Sequence, residues 1–237
     1  MSTSIPEPSH APLAVGMLVY PGLTLLDFAG PQAVPGMHAE THLAWKTCDP
    51  VTSDSGVSRI PSHSFADMPR DLDVLFVPGG HTATEVMTDD AVLEFLAEAG
   101  TSAHHVTSVC SGALILGMAG LLDGHRAATH WAVYDVLEPM EVEADRSRVV
   151  IDRNRMTGGG VTAGIDFGLT LLAELRGEEV VKLTQLMIEY DPRPPFDAGH
   201  PDKAGPEMVA TVHRGMGDGA PLKAAIEAAR RKRGAPA

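Results

Sequence analysis

Residues 104–122 read HHVTSVCSGALILGMAGLL, and the meaning of this stretch decides the fold. A β-branched run, VTSV, stops at Cys110, and small residues then open an apolar run with helical spacing. The pattern predicts a buried strand over HHVTSVC, a tight turn at the cysteine and a helix over SGALILGMAGLLDG, closed by Gly120 or Gly124. Two readings of the cysteine stay open at this level. It is either a small side chain filling a packed corner or a nucleophile held at a strand–helix turn.

The same alternation extends in both directions. LAVGMLVY (13–20) is a short apolar run stopped by Pro-Gly, and DVLFVPGG (73–80) is a clearer strand ended by a glycine pair. Between them, TLLDFAGPQAVPGM has helical spacing broken by Pro31 and Pro35, so its helix is short or kinked. HLAWKTC (42–48) reads as a strand, and VTSDSGVSRIPSHSFADMP as a hairpin or extended excursion turning at Asp54–Gly56. DDAVLEFLAEAG predicts a helix with an acidic first turn and Gly100 as its stop. RAATHW (126–131) and SRVVIDRNRMTGGG (147–160) bracket a helix-like AVYDVLEPM, and two more helices follow in VTAGIDFGLTLLAELRG and EEVVKLTQLMIEY. Strands alternating with helices imply an α/β sandwich, its mostly parallel sheet covered on both faces.

The 237 residues suffice for one large α/β domain, and 44 % apolar with 21 % charged residues is ordinary for a soluble globule. Against 31 Asp and Glu stand 18 Lys and Arg, a formal charge of −13, which disfavours nucleic acid as a partner. Two cysteines without C-x-x-C spacing argue against a disulfide scaffold, and eleven scattered histidines without H-E-x-x-H spacing give no metal site. The first residues have no basic n-region, and no apolar run approaches the about 20 residues a membrane helix needs. A cytoplasmic protein that binds no membrane is therefore expected. Residues 1–12 read as a flexible arm. The tail AAIEAARRKRGAPA reads as a helix whose basic end is solvated and suits the helix dipole.

At the carboxyl end of a parallel strand, Cys110 would face the crevice where open α/β sheets bind ligands. The helix starting at Ser111 would aim N–H groups at the sulfur and favour thiolate. Gly112 and Ala113 keep the turn thin, as in a nucleophile elbow. A second signal is Asp27, a lone acid inside the apolar LTLLDFAGP. It either caps a helix or is held in a pocket, where a neighbouring thiolate and poor solvation would raise its pKa and make it a proton donor.

The ordered motifs PGG (78–80), VTSVCSGALILGMAGLLDGHRAATHW (106–131), TGGGVTAGIDFGLTLLAEL (157–175) and PPFDAGHPD (194–202) resemble the DJ-1/PfpI superfamily, and within it the isocyanide hydratase branch. The resemblance covers residues 13–200, with 201–237 as a helical extension. It implies a flavodoxin-like three-layer sandwich, a homodimer, and a nucleophile at Cys110. Protease-like relatives follow that cysteine with histidine; Ser111 stands there instead, so peptidase activity is not expected. Many relatives carry a glutamate in this first βα segment; this chain has Asp27, within LLDFAGP, as the isocyanide hydratases do.

The implied reaction hydrates an isocyanide, a small-molecule substrate, to an N-substituted formamide through a cysteine thioimidate. Asp27 would be the acid and base, Ser111 would orient Asp27 or water, and no metal or organic cofactor is needed. Backbone N–H groups at Gly79, Gly80 and Ser111 would steady developing charge. His130, Trp131, Gly159 and Val161 are the remaining candidates for lining the substrate site. TGGGVTAG lacks a P-loop lysine, so a tight turn at a helix start is the better account of it than a phosphate cradle. Two other functions share these motifs. One is a redox or glyoxal-directed cysteine protein. The other is the sensory half of AraC-type regulators, whose helix-turn-helix module would not fit in the stretch after residue 202.

Overall fold

A computed structural model describes residues 11–216 and 219–232. Ten residues of the expected N-terminal arm lie outside the described part. The first half of the chain contains β1 (Leu13–Leu18), α1 (Leu25–Ala33), β2 (Ala39–Trp45), β3 (Val51–Thr52), β4 (Ser58–Arg59), β5 (His63–Ser64) and β6 (Val74–Val77). Then come α2 (Ala83–Val86), α3 (Asp90–Ser102), β7 (His105–Val109), α4 (Gly112–Met118), β8 (Arg126–Ala127) and β9 (Glu143–Ala144). The last part holds β10 (Val149–Asp152), β11 (Arg155–Gly158), α5 (Ala163–Arg176), α6 (Glu178–Met187), α7 (Pro201–Ala204), α8 (Pro206–Met216) and α9 (Gly219–Lys232).

Seven strands form one sheet in the order β10-β11-β7-β6-β1-β2-β5. All pairs are parallel except β10 with β11, an antiparallel hairpin at one edge. From β1 the chain moves through α1 to β2; from β6 it moves the opposite way through α3 to β7. Right-handed crossovers therefore send these helices to opposite faces, where α1 packs with α5 and α3 with α4. The reversal leaves a switch point beside β1 and β6, at the carboxyl ends of the strands. Flavodoxin-like α/β architecture is what the sequence predicts and what the chain adopts. The core is continuous: Leu18, Leu75, Val106, Leu116 and Leu122 are all fully buried in one apolar cluster.

Local chemistry explains most element ends. Asp89 caps α3, accepting from the N–H groups of Ala91 (3.1 Å) and Val92 (3.4 Å). The β3–β4 hairpin turns at Gly56, whose φ of 81° only glycine adopts at little cost. Its Asp54 carboxylate accepts the Leu25 N–H at 3.1 Å, satisfying a donor of α1 that Thr24 leaves unpaired.

Three sequence expectations need correction. AVYDVLEPM does not form an α-helix. It forms 3₁₀ turns over Trp131–Val136, interrupted at Val133 (φ −128°, ψ 18°), and over Glu138–Met140, with Pro139 in its first turn. Gly100 does not stop α3, which runs on to Ser102; a Cβ there would sit 2.5 Å from Leu121 Cδ2, so close packing explains the glycine. The basic tail is not a fully solvated helix end. Ile226 of α9 is fully buried, and Arg230, only 8 % exposed, pairs with Asp123 (3.1 Å) and Glu141 (3.5 Å) and donates to the Gly117 carbonyl (3.4 Å).

Candidate active site

Cys110 ends β7 with φ 55°, a left-handed conformation that costs a non-glycine residue about 1–2 kcal/mol. The surroundings hold it there. Its N–H is shared between the carbonyls of Gly158 (3.1 Å) and Gly159 (2.9 Å), and its carbonyl accepts from Thr129 Oγ1 (2.8 Å). The turn must then pass close to the end of β6. A Cβ on Gly112 would lie 2.2 Å from the Val77 carbonyl oxygen, so only glycine lets α4 start here. Such strain, fixed by neighbours, is what holding a nucleophile at a sharp turn requires.

Asp27 sits in the first turn of α1 and is fully buried. The Cys110 thiol and the Gly79 N–H face it closely enough to influence its titration, yet neither carboxyl oxygen makes a hydrogen bond of standard geometry. The contact is therefore electrostatic rather than a well-aligned bond. Loss of hydration on burial pushes the Asp27 carboxyl up from 3.8 to about 7; Cys110 and Gly79 oppose the rise, and the charge of Asp54 adds to it.

The sulfur behaves differently from the sequence expectation. Burial, then the neighbouring Asp27 charge, drives the Cys110 thiol well above its ordinary range, and the Ser111 N–H only partly offsets this. The helix start does not hold a resting thiolate, because Cys110 is buried and the Asp27 charge faces its thiol. The pair rests as a thiol beside a carboxyl near its midpoint.

One further expectation shifts. The Ser111 hydroxyl accepts the Gly80 N–H at 3.1 Å and ties the nucleophile turn to the β6 loop. The Gly80 N–H is thereby occupied and the Gly79 N–H faces Asp27, so neither stands free to steady substrate charge. Gly79 instead provides space. A Cβ on it would lie 2.7 Å from Asp27 Oδ2, from Ser111 N and from Ser111 Oγ, so these polar atoms surround one small point.

The remaining candidates lie around this centre. Gly159 is behind the sulfur turn, its carbonyl bound by Cys110 and its N–H donating to the Arg148 carbonyl (2.9 Å). His130 touches the next residue, since a Cβ on Gly160 would meet its Cδ2 at 2.7 Å; burial lowers its pKa. Trp131 turns to an edge-on contact with His213 of α8, with ring centroids 5.0 Å apart. Val161 belongs to the start of α5, its carbonyl accepting from the Gly164 N–H (3.3 Å). None of these contacts brings Trp131 or Val161 onto the Asp27–Cys110 pair. Sequence reasoning missed Tyr20, which is fully buried beneath the site and donates from its hydroxyl to the Pro78 carbonyl at 3.0 Å. Its only signal was an aromatic with a polar tip closing the first strand. Among the described residues, no group of three or more His, Cys, Asp or Glu is placed to hold a metal ion, and no helix is long and apolar enough to cross a membrane.

A doubly wound α/β sheet with a strained cysteine at a strand–helix turn, set against a buried carboxyl at the switch point, defines a class of cysteine-centred flavodoxin-like proteins. The chain belongs to the DJ-1/PfpI family, whose model matches residues 15–174. It is 46 % identical over 199 residues to an isonitrile hydratase of Pseudomonas putida, covering 83 % of this chain and 87 % of that protein. It is 28 % identical over 172 residues to the HTH-type transcriptional regulator CdhR of Pseudomonas aeruginosa, covering 69 % of this chain but 51 % of the regulator. Among solved structures, a ThiJ/PfpI family protein from Pseudomonas syringae superposes with TM-score 0.87 at 42 % identity, over 97 % of this chain and 96 % of that one.

Proposed function

We propose that this protein is an isocyanide (isonitrile) hydratase converting R–N≡C and water to R–NH–CHO. The observation that carries the reading is the buried Asp27–Cys110 pair, each group shifting the other's titration in a site with no histidine after the cysteine. The similarity to an isonitrile hydratase supports it.

The chemistry follows from the proton count. Ionised Asp27 takes the thiol proton as sulfur attacks the terminal isocyanide carbon, then delivers that proton to the same carbon. The S–H bond is broken, S–C and C–H bonds form, and the product is the thioimidate R–N=CH–S–Cys110. Water then adds to this carbon, with Asp27 carrying a proton from the water to nitrogen and Ser111 orienting the water. The adduct R–NH–CH(OH)–S–Cys110 breaks its C–S bond, and the hydroxyl proton returns to sulfur through Asp27. The formamide leaves and the thiol is restored, with no oxidant or reductant consumed. A homodimer is part of the reading; the outward face of α6, with Leu186 77 % exposed beside Leu183 and Met187, supports it.

Mass spectrometry tests the mechanism directly. Wild type mixed with an aryl isocyanide is expected to yield the formamide and an adduct on Cys110. Cys110→Ala is expected to yield neither product nor adduct. Asp27→Asn is expected to lose turnover by at least about 100-fold, the size of a missing general acid–base. Formamide production by Cys110→Ala at the wild-type rate overturns the reading.

A further inference from the structure

No hydrogen bond of standard geometry holds either oxygen of Asp27, so the carboxyl lies where the first turn of α1 puts it. That turn is fastened from two sides. On one side the Thr24 N–H donates to the Gly79 carbonyl at 3.0 Å, beside the nucleophile turn. On the other side stands the β3–β4 hairpin. The Gly22 N–H donates to the Thr52 carbonyl (2.8 Å), the Asp54 N–H to the Leu23 carbonyl (2.9 Å) and the Leu25 N–H to Asp54 Oδ1 (3.1 Å). We propose that Asp54 is a positioning residue for Asp27, seating the turn that carries the acid and setting a like charge beside it. Its kinetic consequences rest on the hydratase reading, which it deepens by naming a residue outside the reacting pair that governs the acid.

Of the hydrogen bonds that fasten the turn, the one to Asp54 Oδ1 is made by a side chain, so a substitution can remove it. Thr24, at the N-cap position, makes no side-chain cap bond, and a carboxylate 29 residues further along the chain takes over that role for Leu25. The same placement has an electrostatic consequence. Like charges oppose each other's ionisation, and the charge of Asp54 adds to the burial that keeps the proton on Asp27. Three ionisable groups face Asp27: the Cys110 thiol at the end of β7, the Tyr20 hydroxyl after β1, and Asp54. Two cations or potential cations stand nearby. Arg59 of the hairpin lies over the Phe28 ring, 4.1 Å from its centroid. His81, on the loop after β6, has Nε2 3.9 Å from Asp54 Oδ2 and a side chain 80 % exposed, so solvent screens this loose pairing and leaves most of the Asp54 charge in place. The hairpin thus fixes the acid opposite the sulfur and delays its ionisation to higher pH.

Two substitutions separate the two effects. Asp54→Asn keeps an oxygen for the Leu25 N–H and removes the charge; Asp54→Ala removes both. For Asp54→Asn, the rise of kcat/KM for an aryl isocyanide is expected at lower pH, so that at pH 6, relative to each protein's own value at pH 9, it exceeds wild type by about 2- to 3-fold. Asp54→Ala is expected to show kcat at pH 9 about 10-fold below that of Asp54→Asn, with KM changed far less. The comparison is repeated in a His81→Gln background, so that protonation of that ring does not enter the difference. A second readout needs no turnover and stays informative if Asp54→Ala folds poorly: carbon-13 NMR titration of the aspartate carboxyls, with the Asp27 signal assigned by its loss in Asp27→Asn. That signal is expected to titrate at lower pH in Asp54→Asn than in wild type. Coincident carboxyl titrations in the two proteins, or equal kcat in folded Asp54→Ala and Asp54→Asn, overturn the proposal while the hydratase reading stands. If wild type hydrates no isocyanide, the hydratase reading fails, and the NMR titration still decides whether Asp54 governs Asp27.

Discussion

A carboxyl group held near pKa 7 by burial is a stability defect whose size and pH window follow directly. Asp27 rises from 3.8 to about 7 in the folded chain, chiefly because it loses hydration. The folded state therefore binds this proton more tightly than the unfolded state does. Well below pH 4 the group is neutral in both states and carries no ionisation penalty. As pH rises from about 4 to about 7, the unfolded chain gains an ionised, hydrated carboxylate that the folded chain resists forming, so stability falls; above that range the deficit is constant. Three units at about 1.4 kcal/mol each make the full deficit about 4 kcal/mol. Asp27→Asn keeps the shape and removes the ionisation. At pH 8 it is expected to raise the melting temperature by about 8–16 °C, taking 2–4 °C per kcal/mol for a chain of this length. At pH 4 the two proteins should melt within a few degrees of each other. Differential scanning calorimetry of both proteins from pH 4 to 9 measures the gap. A gap that does not change with pH, or a variant less stable than wild type at pH 8, refutes the argument.

The same titration predicts a pH–rate profile: kcat/KM for an aryl isocyanide rises through about pH 7, as Asp27 ionises beside a still-protonated thiol, and stays level to pH 9, whereas a fall above 7 would show that the doubly protonated pair reacts. Gly79→Ala places a methyl 2.7 Å from Asp27 Oδ2 and from the Ser111 backbone; stopped-flow turnover should drop about 100-fold and unfolding free energy in urea by about 1–3 kcal/mol. Tyr20→Phe strands the Pro78 carbonyl in the core, and thermal melts should show a loss of about 1–3 kcal/mol. Arg230→Met removes a cation whose partners Asp123 and Glu141 are half exposed, so urea titration should register a loss of about 1–2 kcal/mol, below that of a fully buried pair.

Features dictated by local chemistry were legible in the residues. A β-branched run followed by Cys-Ser-Gly announces a strand, a turn and a helix, and the glycine proves necessary because α4 begins against the Val77 carbonyl. Asp27 stood out because an acid flanked by Leu25, Leu26, Phe28 and Ala29 has no local reason to be buried. What sequence reasoning got wrong depends on partners distant in the chain. The thiol was expected to be acidic from its place before a helix, but burial in the closing core, and then the Asp27 charge from α1, reverse that sign. Gly100 looked like a helix stop until Leu121 packed against it. Arg230 looked solvated because its carboxylate partners lie at positions 123 and 141, on loops with no sequence mark of proximity. The 3₁₀ turns after Trp131 keep helical spacing, so periodicity alone does not separate them from an α-helix.

The engagement of two expected donors, the Gly79 and Gly80 N–H groups, bears on which reactions suit the site. Amide hydrolysis creates an oxyanion that needs unoccupied N–H groups and a proton donor for a departing amine. Here the Gly80 N–H is taken by Ser111, the Gly79 N–H faces a carboxyl, and no histidine follows the cysteine. Addition of a thiol to an isocyanide makes different demands. Neutral reactants give a neutral thioimidate, and the one proton that must move passes from sulfur to carbon through a carboxyl already balanced near neutrality. A buried pair that shares its charge poorly with solvent is unsuited to stabilising a new ion but well suited to passing a proton between two neutral states. On the proposed reading, the burial that keeps the thiol protonated also leaves its proton available for transfer to carbon through Asp27.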